Sequence, residues 1–190
     1  VFNSPGTLAI QNGAPHTLFL QAKFGKAKVK LVPYPGGIAT FLTDSNYSQQ
    51  CFVTSEPLLA KKKSVPAKSF LIADEGFKPY GTVVIARRRY VEKNHKQTRD
   101  LIDAIRVGWQ EYLRAPETAN ARMAKLNPAM DAVTMREAAE VQKPFIIAAN
   151  APAQELGKMT VDRWTTLVKQ LYDIKLIKTK PAAEKLYQNF

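Results

Sequence analysis

The stretch TLAIQNGAPHTLFLQAKFG, residues 7–25, places a strand, a turn and a helix in immediate succession. The apolar run at residues 7–11 predicts a buried strand, because turn-forming residues lie on both sides of it. Pro15 suits the first position of a helix, and Gly25 suits the residue just past a helix end. A strand that leads directly into a helix is the unit from which parallel α/β sheets are built.

The same alternation continues along the first 75 residues. Three further strands and two further helices are predicted by the apolar runs and by the Pro and Gly residues between them. The strands are KVKLVPY (28–34), QQCFVTSE (49–56) and SFLIADE (69–75), and the helices are PGGIATFL (35–42) and PLLAKKK (57–63). This order predicts a parallel α/β sheet with right-handed crossovers.

The second half of the chain has a different character. After the Gly/Pro-rich break at residues 76–81, TVVIARR (82–88) predicts one more strand. A long amphipathic helix is expected at residues 97–116, and three more helices follow at residues 117–127, 131–146 and 160–177. One strand cannot cover the apolar faces of so many helices, so the sequence predicts that further sheet is needed.

Composition narrows the classes of function. The chain has 190 residues, a net charge of +12 and one cysteine, which excludes an internal disulfide framework and a multi-cysteine metal site. The basic clusters Lys61–Lys63 and Arg87–Arg89 are not interleaved with several aromatic residues, so no nucleic acid partner is expected. The chain begins at Val1, and we expect that a targeting signal has been removed from it.

The candidate ligand-binding residues follow the first three strands, because ligands of parallel sheets bind at the carboxyl ends of the strands. Each group lies at a predicted helix start, where free backbone N–H groups attract anions and polar ligands. The candidates are Asn12, Gly13, Ala14 and His16, then Tyr34, Gly36 and Gly37, and then Thr54, Ser55 and Glu56.

Each candidate also has a purely structural interpretation. The Asn12–Ala14 segment offers backbone donors or forms a plain turn, and His16 faces either the ligand or solvent. Glu56 accepts hydrogen bonds from an ammonium or aminopyrimidine group, or it complements the helix dipole. Because its charge would repel nitrate or a sulfonate, Glu56 favours a neutral or cationic heterocycle. Tyr34 stacks on a planar ligand or packs in the core.

No metal site is expected, because His95 is the only other histidine and no further ligands cluster with it. Cys51 is predicted to be a small buried residue of the third strand.

Several blocks of the sequence resemble bacterial ABC-transporter substrate-binding proteins of the nitrate/sulfonate/taurine and thiamine-pyrimidine-precursor branch. The most specific blocks are QQCFVTSEPLLAKKK, YGTVVIARRRYVEKN, and the C-terminal RW, IK and LYQNF elements. The resemblance implies an α/β fold of the two-lobe type II periplasmic binding protein kind, with the first half of lobe one missing from this chain. Residues 1–75 correspond to lobe two, 76–81 to an inter-lobe crossover and 82–190 to the C-terminal part of lobe one.

The resemblance also implies a function. The family captures a small polar solute between two lobes by hinge closure and delivers it to the permease of an ABC importer. It adds Tyr80, near the crossover, to the candidate ligand-binding residues. The expected partners are the solute and the permease, the full-length protein is expected to be a monomer, and the expected location is periplasmic or that of an extracytoplasmic lipoprotein.

Neither a cofactor nor catalytic residues are expected, so the chain is predicted not to be an enzyme. Two alternatives remain open. One is the effector-binding domain of a transcription regulator with the same fold. The other is a pyrimidine-synthase-like enzyme, although the synthases carry a cysteine-rich iron motif and this chain has only Cys51.

Overall fold

The computed structural model describes residues 1–127, 131–147 and 152–190, of which about half are helical. The chain divides into two compact units. The first unit comprises Val1–Lys78 and Val161–Leu186, and the second comprises Pro79–Thr160 and Tyr187–Phe190. The mixture of helices with a small parallel sheet is compatible with the predicted α/β class. The assignment of residue ranges to two lobes remains a prediction.

The first unit is built around a parallel sheet. Its strands are β1 (Thr7–Ala9), β2 (Lys30–Val32) and β3 (Tyr47–Gln49), in the order β2-β1-β3. Thr7 lies opposite both Lys30 and Tyr47, so the three strands begin and end together. The helices of this unit are α1 (Pro15–Phe24), α2 (Ala39–Thr43), α3 (Glu56–Lys62) and, from the distant segment, α8 (Val161–Asp173).

Helix α1 begins and ends where the sequence predicts. Pro15 occupies its first turn, where the missing N–H of proline leaves no hydrogen bond unmade. Gly25 follows its last residue with φ of +73°, and the Gly25 N–H donates to the Gln21 carbonyl at 2.9 Å. This positive φ favours glycine, because a side chain is strained there.

The hydrophobic core of this unit lies between the sheet and α1. Its buried members are Phe2, Leu8, Ile10, Leu20 and Val29, and Phe19, Ala27, Leu31 and Ile72 pack against them. The Phe19 ring stacks on Phe77 with a centroid distance of 5.1 Å. Helix α8 contacts the segment that contains Phe77, because the Gln170 amide donates to the carbonyl of the neighbouring Gly76 at 2.9 Å.

The third strand lies earlier than residues 49–56, so that prediction was wrong. Parallel pairing places Gln49 opposite Ala9, and the Gln50 N–H then donates to the Ala9 carbonyl at 2.8 Å as the last sheet bond. Beyond it the chain turns, with the Ser55 N–H donating to the Phe52 carbonyl at 2.9 Å. Cys51 is therefore exposed in a loop and is not the buried strand residue that the sequence predicts.

Two further predicted strands are absent from the described residues. Residues 69–71 have no regular structure and residues 72–75 form turns, in which the Asp74 N–H donates to the Leu71 carbonyl at 3.1 Å. Residues 82–87 are neither helical nor paired in a sheet, and Ile85 is 87% exposed. A strand needs a neighbour to satisfy its backbone groups, and the described chain provides none at either place.

The second unit is helical. Its helices are α4 (Arg88–Lys93), α5 (His95–Arg114), α6 (Glu117–Leu126) and α7 (Ala132–Ile146). The long helix α5 confirms the amphipathic pattern, although Trp109 on it remains 40% exposed. Arg106 on α5 donates to the carbonyls of Leu156 at 3.2 Å and Phe190 at 3.1 Å, and it pairs with Asp103. Within the described ranges, no helix combines the length and apolarity needed to cross a bilayer.

Candidate functional site

Three loops leave the sheet of the first unit at the same edge, because β1, β2 and β3 are parallel and end in register. These loops are residues 10–14, 33–38 and 50–55. Ten of the eleven predicted ligand-binding residues lie in these loops or within two residues of their ends. Their proximity follows from the sheet, whereas their role as ligand contacts stays a prediction.

The first loop delivers the chain into α1. The Thr17 hydroxyl, which is fully buried, donates to the Gln11 carbonyl at 2.7 Å and fastens the loop to the helix. Gly13 has φ of +71° and an exposed position, so a turn here requires glycine or strain. Asn12 is also exposed, which leaves the loop surface polar.

Helix α1 has no side-chain cap. Ala14 occupies the N-cap position, and alanine has no oxygen to accept a hydrogen bond. Within the described residues, the backbone N–H groups of His16 and Thr17 have no hydrogen-bond acceptor. His16 is partly buried and Thr17 is fully buried, so the His16 N–H is the donor that the start of α1 can offer beside the loop.

Gln50, which is not among the predicted ligand-binding residues, joins the first loop to the third. Its Oε1 accepts the Gln11 N–H at 2.7 Å and lies 3.4 Å from His16 Nε2. Because Gln50 Oε1 accepts these contacts, the amide NH₂ of Gln50 points elsewhere and remains a donor. The predicted strand at residues 49–56 contains Gln50, so the sequence does not place Gln50 in a loop. The signal that could have identified it is a polar glutamine directly after the strand end at Gln49.

The second loop carries Tyr34, Gly36 and Gly37. Both glycines have positive φ, +83° and +68°, and a Cβ atom at either would meet no atom within 4 Å. Their conformation is therefore a backbone requirement and not a packing requirement. The Gln49 amide donates to the Gly37 carbonyl at 2.8 Å, which fastens this loop to β3.

Glu56, the first residue of α3, lies between the second and third loops. The Tyr34 hydroxyl donates to its Oε1 at 2.8 Å, and the Phe52 N–H donates to its Oε2 at 2.9 Å. Burial, and then the hydrogen bond to Glu56 and its charge, raise the pKa of Tyr34 from 10.0 to about 12. The pKa of the Cys51 thiol is also raised, by desolvation first and then by Glu56.

Thr54 and Ser55 complete the third loop and are partly buried. Ser55 precedes α3 as its N-cap residue without a side-chain cap, and its carbonyl accepts the Leu58 N–H at 3.0 Å. Phe52, which is also not among the predicted ligand-binding residues, is 78% exposed on this loop. A ring displayed to solvent is an aromatic surface on which a planar molecule can stack.

Tyr80, the eleventh predicted residue, belongs to the second unit. Its hydroxyl accepts the Thr160 N–H at 2.8 Å, so the contact seen for it is structural. His95 lies in the same unit, with its ring 5.4 Å from that of Phe190. In the part of the chain that the structure describes, no group of three or more His, Cys, Asp or Glu residues could hold a metal ion.

The three loops differ from the protein surface in charge. The chain carries +12, but Glu56 is the only formally charged residue in residues 10–16, 33–38 and 50–56. Amide, hydroxyl and backbone groups provide the remaining polarity. This arrangement can bind a small polar molecule through hydrogen bonds, and it offers no Lys or Arg partner to an anion.

A comparison with protein-family models matches residues 15–119 to the family described as NMT1/THI5 like. That match covers more than half of the chain and includes α1, the second and third loops, and α3. The family comprises nitrate, sulfonate and taurine substrate-binding proteins of ABC transporters together with proteins of thiamine-precursor synthesis. A search of curated proteins gives no match.

Proposed function

The chain belongs to the NMT1/THI5-like family, and from this premise we propose that it is the solute-binding component of an ABC importer. In this role it captures a small polar molecule and delivers it to a membrane permease. The family supports a substrate-binding role in general. The importer, the permease and a periplasmic location belong to the proposal.

The observation that carries the proposal is the meeting of three loops at the carboxyl edge of the parallel sheet. Gln50 links the first loop to the third at 2.7 Å, and Gln49 links the second to β3 at 2.8 Å. Such an edge is where open α/β sheets bind their ligands. The links hold polar groups in place before a ligand arrives, which reduces the entropy lost on binding.

The chemistry of the loops favours a neutral or cationic ligand with both donors and acceptors. Gln50 offers an amide donor, and Tyr34, whose hydroxyl donates to Glu56, offers an acceptor. An aminopyrimidine presents a ring-nitrogen acceptor beside an exocyclic amine donor and has a flat face for Phe52. Nitrate and sulfonates are less suitable, because Glu56 would repel them and no cation in these loops would compensate.

The second candidate function is that of a pyrimidine-synthase-like enzyme, since the matched family also includes proteins of thiamine-precursor synthesis. The two functions relate differently to a pyrimidine. A binding protein takes up a pyrimidine and releases it unchanged, whereas a synthase forms a pyrimidine from another compound. Formation of new pyrimidine therefore distinguishes them.

The test is equilibrium binding of three probes to the purified chain: 4-amino-5-hydroxymethyl-2-methylpyrimidine, taurine and nitrate. Calorimetry is expected to show binding of the pyrimidine and little or none of the two anions. Mass spectrometry of the chain incubated with a small-molecule cell extract is expected to show no increase in total pyrimidine, and an increase would favour the enzyme. Failure to bind any probe would contradict the proposal.

Two variants locate the binding. Gln50→Ala removes an amide that links two loops, and it is expected to weaken pyrimidine binding by about tenfold, equivalent to ~1.4 kcal/mol. Tyr90→Phe is the matched control, because Tyr90 is 51% exposed in the second unit. Equal affinities for the two variants would show that the ligand binds elsewhere.

A further inference from the structure

Glu56 bridges two of the three loops through both oxygens of its carboxylate. One oxygen accepts from the Tyr34 hydroxyl at 2.8 Å and the other from the Phe52 N–H at 2.9 Å. Tyr34 lies 22 positions before Glu56 in the chain, and Phe52 lies 4 positions before it. The bridge therefore joins the loop after β2 to the loop after β3. A side chain whose two oxygens hold two loops has a structural task before any ligand binds.

The direction of the first hydrogen bond is set by chemistry. An ionised carboxylate has no hydrogen to donate, so the Tyr34 hydroxyl must be the donor. Its one hydrogen is thereby committed to Glu56, and only the lone pairs of its oxygen remain. Tyr34 can therefore offer a ligand an acceptor and not a donor, as long as Glu56 stays in place.

We propose that Glu56 is a positioning residue that holds Tyr34 as a hydrogen-bond acceptor, so that the site selects a ligand presenting an N–H or O–H donor. The inference rests on the proposed function for its ligand, and it changes the role expected of Glu56. The carboxylate acts through Tyr34 and Phe52 and does not itself contact the ligand.

The electrostatics of the loops agree with this arrangement. A hydroxyl that donates to a carboxylate carries more negative charge on its oxygen, which strengthens it as an acceptor. Burial and Glu56 both keep Tyr34 protonated, as its raised pKa of about 12 indicates. Cys51 and Tyr47 are the other titratable groups near Tyr34, and both act in the same direction. An ion without a donor, such as nitrate, would meet only acceptors at Tyr34 and Glu56.

The first test needs no ligand. NMR of the chain labelled with ¹³C at tyrosine Cζ follows each phenol from pH 8 to pH 11.5, and Tyr34→Phe assigns the Tyr34 signal. In the wild type this signal is expected to show little ionisation by pH 11. In Glu56→Gln, which keeps the size of the side chain, the titration is expected to move toward pH 10. Identical Tyr34 titrations in the two proteins would overturn the inference.

Hydrogen exchange at the Phe52 amide provides a second measurement. Its protection is expected to fall in Glu56→Ala and to persist in Tyr34→Phe, because only the first change removes the acceptor at 2.9 Å. Loss of protection in Tyr34→Phe as well would mean that the loop opens as a whole and that Glu56 holds no separate contact.

The binding measurement then separates this inference from the proposed function. Tyr34→Phe and Glu56→Gln are both expected to weaken binding of 4-amino-5-hydroxymethyl-2-methylpyrimidine by about tenfold or more. An effect of Glu56→Gln alone would place Glu56 in direct contact with the ligand and overturn the positioning role. A wild type that binds no probe would contradict the proposed function, while the Tyr34 titration would still decide whether Glu56 holds Tyr34.

Discussion

The uncapped start of α1 gives a prediction in which stability and binding change in opposite directions. Ala14 is the N-cap residue, with φ of −66° and ψ of 149°, which is the extended conformation that N-cap residues adopt. Serine at this position would need no change of backbone. Its hydroxyl oxygen can accept the N–H of His16, the second residue of the helix, which has no acceptor within the described residues.

The magnitude follows from the cap alone. Replacing a natural serine cap by alanine typically lowers stability by ~0.5–2 kcal/mol. Because Ala14 is 8% exposed, the added oxygen is also desolvated, and part of the gain is lost. We therefore expect Ala14→Ser to raise the free energy of unfolding by about 0.5–1 kcal/mol, the lower part of the range for caps.

Urea unfolding followed by circular dichroism measures this change, and Ala22→Ser is the matched control. Ala22 is an exposed interior residue of the same helix, where serine is a poorer helix former than alanine and is expected to lower stability by ~0.5 kcal/mol. Binding of the pyrimidine probe should weaken in Ala14→Ser only, because the new hydroxyl competes for the backbone donor. A destabilised Ala14→Ser, or one that binds more tightly, would refute the reasoning.

Three further changes test the fold of the first unit and its loops. Gly6→Ala is expected to destabilise the unit by about 1–3 kcal/mol, because Gly6 has φ of +121° and its Cβ would lie 2.4 Å from the Asn46 carbonyl oxygen; unchanged urea unfolding would contradict this. Leu20→Ala should cost about 2–5 kcal/mol of unfolding free energy, since Leu20 is 8% exposed within the core, and a loss below this range would show a loosely packed core. The Cys51 thiol is expected to react slowly with iodoacetamide at pH 8 and faster in Glu56→Gln, because removing the Glu56 charge lowers the raised pKa of Cys51. Equal pH–rate profiles for the two proteins would show that Glu56 does not influence the Cys51 thiol.

The sequence correctly predicts where an element begins or ends when proline or glycine marks that position. Pro15 and Gly25 bound α1 because one has no N–H to satisfy and the other adopts φ of +73°. β1 and β2 are found within the predicted runs, although each has only three residues. These signals are local, and local chemistry is sufficient to set them.

The strands that the sequence predicts wrongly depend on partners that are distant in the chain. Residues 82–87 have the β-branched composition of a strand, but nothing among the described residues pairs with them. The apolar residues near Cys51 also resemble a strand. There the register of β3 against β1 is set by Tyr47 and Gln49, so the sheet ends at Gln50 and the apolar residues form a loop.

The meeting of the three loops depends less on exact strand ends than the prediction of β3 does, and the role of these residues as ligand contacts stays a prediction. The carboxyl edge of a parallel sheet brings loops together whatever the exact strand ends, so the second and third loops meet even though β3 begins earlier than expected. The contacts within the edge have no such local signal. A glutamate 22 residues after a tyrosine shows no periodicity, and only the fold places its carboxylate 2.8 Å from the hydroxyl. Residue type thus predicts which groups are available at the edge, and the fold decides whether each group faces a ligand or holds its neighbour.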